Sequence, residues 1–167
     1  PTTSTTASLA IGDAIAVALL EMNGFSANDF RVLHPGGKLG SSLLRVSDLM
    51  HRGSSMPIVK PTALMSETIL EMTSKSLGCV GIVDSGKLIG IVTDGDLRRH
   101  INSDMRKVTA GEIMTGAPAT IRVHALAGEA IALMNEKSIT NLFVIDDDQE
   151  ALIGVLHIHD CLRAGLV

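Results

Sequence analysis

Two stretches of the chain, Gly90-Ile91-Val92-Thr93-Asp94-Gly95-Asp96 and Gly154-Val155-Leu156-His157-Ile158-His159-Asp160, follow one pattern at a spacing of 64 residues. The same spacing relates Asp48-Leu49-Met50 to Glu112-Ile113-Met114, and between these anchors the two halves match at a spacing of 62 residues. The chain therefore contains two repeated units. Their length differences fall in two loops, where insertions are tolerated.

Each repeat predicts a helix, a strand, a turn, a strand and a second helix. Apolar residues at helical spacing predict the first helix of each repeat; they are Met65, Ile69 and Met72 in the first repeat and Ala127, Ile131 and Met134 in the second. Short apolar runs predict the strands, over 79–83 and 88–92 and then over 141–145 and 152–156, with turn residues between them. Because one repeat cannot bury both faces of its sheet, we expect the two to share a core that contains the methionines.

The end of the first repeat combines residues that suit a nucleotide. A Thr93 hydroxyl between a strand and a helix can hold a phosphate together with free helix amides. The Asp96 carboxylate can accept hydrogen bonds from both hydroxyls of a ribose. The same residues also fit a purely structural role, in which Thr93 caps the helix and Asp96 adds favourable charge to its first turn. Both interpretations stay open at this point.

The second repeat keeps Asp160 but has His157 where the first has Thr93. A neutral histidine can donate one hydrogen bond, and a protonated one suits an anionic sugar or phosphate group. His157 and His159 alternate along a stretch predicted to be extended, so we expect them to face opposite ways. The prediction is therefore a second ligand-binding position at His157 and Asp160, with no metal site.

The repeats and their tails resemble the CBS domain over residues 46–167. Tandem CBS domains form ligand-sensing pairs, and the family's tail has Ser or Thr at the position of Thr93, from which His157 departs. The resemblance implies an α/β fold of two βαββα-type units that share a core. It also implies domains at 46–107 and 108–167, a dimer of CBS pairs, and a regulatory ligand, either a nucleotide or a nucleotide sugar.

The first forty residues do not belong to this repeat. The segment from Thr6 to Met22 is apolar nearly all round and ends in Asn23-Gly24, which predicts a fully buried helix. Forty residues cannot supply the sheet to bury it, so we expect its partner upstream in the same protein or in another subunit. Downstream lies His34-Pro35-Gly36-Gly37, whose glycines permit a tight turn and close backbone approach to a ligand.

Three further motifs, Pro1-Thr2-Thr3-Ser4-Thr5-Thr6, Gly12-Asp13-Ala14 and His34-Pro35-Gly36-Gly37, resemble the bacterial arabinose 5-phosphate isomerases when followed by a CBS pair. That family joins a flavodoxin-like sugar-isomerase (SIS) domain to a CBS pair. The resemblance implies that residues 1–45 are the last helix, loop and linker of the SIS domain. It also implies a sugar phosphate substrate, ribulose 5-phosphate converted to arabinose 5-phosphate for the octulosonate of lipopolysaccharide, and a homotetramer.

In that family a histidine matching His34 is counted among the catalytic residues, together with a Lys and two Glu that lie upstream of this chain. Aldose–ketose isomerisation moves protons on carbon and oxygen and therefore needs acids and bases. The pathway ends in a cytidylylated octulosonate, so a CMP-sugar is a candidate regulatory ligand beside an adenylate. No cofactor is required, and the anion-binding candidates are Arg98, Arg99, Arg122 and Arg163.

Composition excludes several other classes of function. The net charge is −4 and only 2% of the residues are aromatic, which argues against nucleic acid as a partner. The run from Leu9 to Met22 contains two acids and is too short for a bilayer, so no membrane span is expected. Two distant cysteines favour a cytoplasmic location. A stand-alone adenylate-sensing CBS module, or a scaffold that binds nothing, remains the alternative to a regulatory portion of an isomerase.

Overall fold

The computed structural model describes residues 2–26, 29, 41–101, 104–148 and 151–166. They form two compact units, Pro1–Leu43 and Leu44–Val167. The His34-Pro35-Gly36-Gly37 motif lies outside the described residues.

The first unit contains helix α1 (Thr2–Met22), which begins four residues before the predicted start. None of its residues is buried, and its large apolar side chains are 45–83% exposed. At 21 residues, α1 is long and apolar enough to cross a membrane by length and composition alone. The apolar run from Leu9 to Met22 is shorter than this helix, which begins at Thr2, and a single helix of this kind is weak evidence for a membrane span. Core helices of soluble proteins pass the same test.

The second unit contains the two repeats. The first repeat comprises β1 (Ile58–Val59), α3 (Met65–Lys75), β2 (Cys79–Asp84), β3 (Lys87–Thr93) and α4 (Asp94–Arg99). The second comprises β5 (Thr120–Arg122), α6 (Ala127–Lys137), β6 (Asn141–Ile145), β7 (Leu152–His157) and α7 (Ile158–Arg163). Three shorter elements precede the repeats: α2 (Val46–Leu49), α5 (Ala110–Ile113) and β4 (Thr115–Gly116). The predicted pair of βαββα units is confirmed.

The two sheets have matching topologies. In one the strand order is β1-β2-β3-β4 and in the other β5-β6-β7; the first pair of each is parallel and the remaining pairs are antiparallel. The turn between β2 and β3 is formed by Ser85 and Gly86, which both have positive φ angles, of 49° and 80°. This combination matches the right-handed twist of a two-residue hairpin.

The segments that precede the repeats are exchanged between them. The segment before the first repeat packs on the second: Arg45 bridges to Leu126, and His51 bridges to Val155 in β7. The segment before the second repeat packs on the first, through a Leu64–Thr109 bridge and the pairing of β4 with β3. Each repeat therefore completes its fold with chain that belongs in sequence to the other.

This exchange explains why the two repeated stretches both begin with glycine, Gly90 in the first and Gly154 in the second. A Cβ atom on Gly154 would lie 3.1 Å from the His51 carbonyl oxygen and would overlap the Met50 side chain. A Cβ atom on Gly90 would overlap Met114 in the same way. Only glycine lets the exchanged segment lie this close to the strand.

The core consists of three clusters. One fills the second repeat and includes Val46 from the exchanged segment, and another fills the first repeat and includes Ala110 and Ile113. The third contains Leu77 and Cys79 of the first repeat with Phe143 and Val155 of the second. The third cluster confirms that the two repeats share a core, while the buried methionines lie in the separate clusters, Met65 and Met72 in the first repeat and Met134 in the second.

Candidate functional site

A cleft of about 880 Å³ lies between the two repeats. Its walls come from the carboxyl ends of β3 and β7, from the starts of β2 and β6, and from residues 115–119 between the repeats. Of the predicted site residues, Thr93, Asp96 and His157 line it, and Asp160 does not. Lysine and arginine side chains also reach it, namely Arg98, Arg99 and Lys137.

Thr93 and Asp96 are already bonded to each other. The Asp96 Oδ2 atom accepts hydrogen bonds from the Thr93 amide (2.8 Å) and the Thr93 hydroxyl (2.7 Å). Its Oδ1 atom accepts from the Thr115 hydroxyl (3.2 Å) and from the Arg99 guanidinium. A carboxylate has about four acceptor positions, so Asp96 is saturated in this state. The capping role foreseen from the sequence is therefore present.

The ionisation of Asp96 follows from these contacts. Only 2% of the residue is exposed. Burial alone would raise the pKa of its carboxyl, but hydrogen bonds from Thr93 and Arg99 outweigh this effect and hold the pKa below its ordinary value. Asp96 is thus a fixed anion at the edge of the cleft.

In the second repeat Asp160 stands at the position of Asp96, but its partners are different. The Asp160 Oδ2 atom lies 2.8 Å from His51 Nε2, and its Oδ1 atom lies 3.5 Å from an Arg163 nitrogen. His51 stands 64 residues before Thr115, so the exchanged segments supply a partner to both aspartates. Asp160 does not line the cleft itself, but its charge is close enough to His157 to raise the pKa of that ring against the lowering effect of burial.

His157 and His159 face the same cleft, and the expectation that they face opposite ways was wrong. Their ring centroids are 4.9 Å apart. The chain turns from β7 into α7 after His157, which ends the alternation of an extended strand. Even so, no group of three His, Cys, Asp or Glu side chains within the described part of the chain is placed to hold a metal ion.

The hydrogen bonding of His157 fixes the role of each ring nitrogen. Nδ1 accepts a hydrogen bond from the His159 amide at 3.1 Å and so caps α7. Burial lowers the pKa of His157, and the nearby His159 lowers it further. The neutral ring that results carries its proton on Nε2, which makes that atom a hydrogen-bond donor.

Three further side chains, those of Arg122, Cys79 and Cys161, have structural roles. Arg122 donates to the carbonyl oxygens of Asp146 and Asp147, so it holds a loop. Cys79 and Cys161 are both buried and free, and burial raises the pKa of their thiols to about 12 and about 11. Their low thiolate content at neutral pH gives them little nucleophilic reactivity.

Sequence reasoning missed three residues that contact or line the site. His51 and Thr115 bind the two aspartates, and Asn141 lines the cleft opposite His157. The 64-residue spacing could have indicated His51 and Thr115, because it pairs them with one another as it pairs Thr93 with His157. Nothing in the sequence marks Asn141 as a cleft residue.

Comparisons with known proteins agree with the fold. Over its whole length the chain is 50% identical to arabinose 5-phosphate isomerase KdsD of Escherichia coli (strain K12) and 51% identical to that of Salmonella typhi. It spans about half the length of these curated relatives, 52% in each case.

The structure resembles CBSX2, a CBS-pair protein of Arabidopsis thaliana that has been solved in complex with AMP. The TM-score is 0.64 at 26% identity, and the match covers 74% of this chain and 96% of that one. The family model of the CBS domain matches residues 46–103 and 110–167. The chain therefore belongs to the CBS-domain family.

Proposed function

We propose that this chain is the regulatory portion of a cytoplasmic arabinose 5-phosphate isomerase, and that its CBS pair binds a nucleotide or nucleotide sugar in the cleft between the repeats. The observation that carries this proposal is that the whole chain matches such an isomerase at 50% sequence identity. The match includes the first 45 residues, which a CBS pair does not need. This feature favours an isomerase over a stand-alone sensor.

The exposed helix α1 supports the same proposal. Six of its large apolar side chains, from Leu9 to Leu20, are at least 45% exposed. Burying each one would contribute about 1.5–3 kcal/mol, so a free helix of this kind is unfavourable in water. In the full-length protein the preceding sugar-isomerase domain, or a second subunit of a homotetramer, covers it.

The charges around the cleft support an anionic ligand. Arg98, Arg99 and Lys137 line it, and Arg99 is the partner of Asp96 that a ligand can displace, since its side chain is 64% exposed. Hydroxyls of a ribose take the place of Arg99 and Thr115 on Asp96, while the released guanidinium binds a phosphate. The carboxylate of Asp96 therefore keeps hydrogen-bond donors on both of its oxygens in the two states.

Replacing Arg98 with Gln tests the ligand site. We expect calorimetric titration of the chain with AMP and with the CMP-sugar to show binding, which Arg98→Gln weakens about 10- to 100-fold through loss of a charge-assisted hydrogen bond. Arg106→Gln is the matched control, because its side chain is 86% exposed and it does not line the cleft. If the wild-type chain binds none of these compounds, the scaffold interpretation holds instead.

Replacing His34 with Ala tests the catalytic assignment. We expect the full-length protein to lose about 10²- to 10⁴-fold in turnover of ribulose 5-phosphate, the usual contribution of a general acid or base. His124→Ala, at a 70% exposed side chain, provides a histidine control that keeps full activity. Wild-type turnover in the His34 variant would remove His34 from the catalytic residues.

A further inference from the structure

The two repeats differ at a pair of facing strand positions, of which Thr93, Asn141 and His157 line the cleft and Cys79 does not. In the first repeat Cys79 pairs with Thr93 in the antiparallel register, and in the second Asn141 pairs with His157. Side chains that are directly opposite each other in such a register lie on the same face of the sheet. The second repeat therefore carries two larger polar groups where the first carries a buried thiol and a capping hydroxyl.

Asn141 leaves one polar atom without a partner. The residue is 91% buried at 9% exposure, and its Nδ2 atom donates to the Leu77 carbonyl oxygen and to the Thr140 hydroxyl, both at 3.1 Å. Its Oδ1 atom is buried, and no described residue donates to it. Exchanging the two ends of the carboxamide would place Oδ1 against the Leu77 carbonyl oxygen, so the orientation is set by chemistry. A buried unpaired acceptor is costly, which calls for a donor from outside the chain.

The neighbouring His157 supplies the complementary group. Its Nδ1 atom is held by the His159 amide, which leaves the proton on Nε2 as a donor. An unpaired carboxamide oxygen repels phosphate, whereas Arg98, Arg99 and Lys137 attract it. The cleft is thus lined both by cations that suit an anion and by an uncharged donor and acceptor that suit a small group able to accept and donate hydrogen bonds.

We infer that Asn141 and His157 are the specificity-determining residues of the cleft, and that they select an amino-substituted heterocycle whose ring nitrogen lies beside the amino group. Asn141 Oδ1 accepts a hydrogen bond from the amino group, and His157 Nε2 donates to the ring nitrogen. Adenine and cytosine share this edge. Hypoxanthine and uracil carry the same two functions in reversed order, which sets a carbonyl oxygen against the Asn141 oxygen.

This inference rests on the proposed binding of a nucleotide. The following titrations distinguish a failure of base selectivity from a failure of nucleotide binding. AMP is compared with IMP, and CMP with UMP, on the wild-type chain and on Asn141→Cys and His157→Thr, which introduce the residues that the first repeat carries at the same positions. We expect the wild type to bind the amino-substituted member of at least one pair about tenfold more tightly, and the pair that shows the preference identifies the base.

In Asn141→Cys and in His157→Thr the preference is expected to fall to within about twofold, because each variant removes one of the two hydrogen bonds that read the base. Thermal unfolding of each variant shows that the fold persists. If the wild type binds nucleotides without this preference, or if Asn141→Cys keeps it, the selectivity assignment is overturned and the proposed function stands. If the wild type binds neither the four nucleotides nor the CMP-sugar, the proposed ligand binding fails as well.

Discussion

Replacing Val46 with Asp is expected to destabilise the second repeat by about 3–5 kcal/mol, although Val46 precedes the first repeat in sequence. Val46 has no exposed surface and packs in the core of the second repeat with Val123, Ala130 and Met134. Its amide also donates to the Ala125 carbonyl oxygen at 3.0 Å. A carboxylate at this position has no partner and cannot reach solvent without displacing α2.

Urea unfolding measures the loss of stability, and hydrogen exchange shows where it falls. The amides of β6 and β7 should lose protection before those of β2 and β3. The control is Leu70→Asp, since Leu70 is 71% exposed on α3 and its replacement should change the free energy of unfolding by about 0.5 kcal/mol or less. A Val46 variant as stable as the Leu70 variant, or one that exposes β2 first, contradicts the exchange of segments.

Replacing Asp96 with Ala is expected to cost about 3 kcal/mol of stability as well as ligand binding. The carboxylate accepts hydrogen bonds from Thr93, Arg99 and Thr115, so it holds the end of β3 to α4 and to β4. Its removal takes the partner from the amide and hydroxyl of Thr93, at about 1–3 kcal/mol for each group that stays unsatisfied, whereas the exposed Thr115 hydroxyl can bond to water. Chemical denaturation of the variant and the wild type measures the difference.

The dependence of this stability on pH has a definite sign. The folded-state pKa of Asp96 is lowered, so its contribution is present above the unfolded pKa of about 4 and is lost as the pH falls through the folded pKa. Asp96→Asn should therefore lose less stability than the wild type between pH 5 and strongly acidic pH, a range of about three units. Parallel curves for the two proteins would show that Asp96 does not titrate at a lowered pKa. Asp13→Asn, on the exposed helix α1, is the matched control.

Sequence reasoning failed mainly where the chain changes direction. The alternation rule for His157 and His159 holds only within a strand, and the strand ends at His157. Asn141 was missed because it is a single polar residue at the start of an apolar run, and such a residue gives no periodic signal. Its unpaired oxygen arises from neighbours in the other repeat, chiefly the Leu77 carbonyl, that no local pattern can identify.

The sequence by itself determined the repeat, the four strands of the two hairpins, the long helices and the buried methionines, but not the short strands β1, β4 and β5. These features depend on periodicities of two and 3.6 residues and on turn residues, which act over a few positions of the chain. Only the tertiary structure decided that Val46 packs in the second repeat and Ala110 in the first. It also decided that Thr115 binds Asp96 and that His51 binds Asp160. The pairing of Asn141 with His157 is a third contact of this kind. Most of these contacts join residues far apart in the chain. They form because the segments bury apolar surface against each other, and this driving force depends on the area buried and not on the order of residues in the sequence.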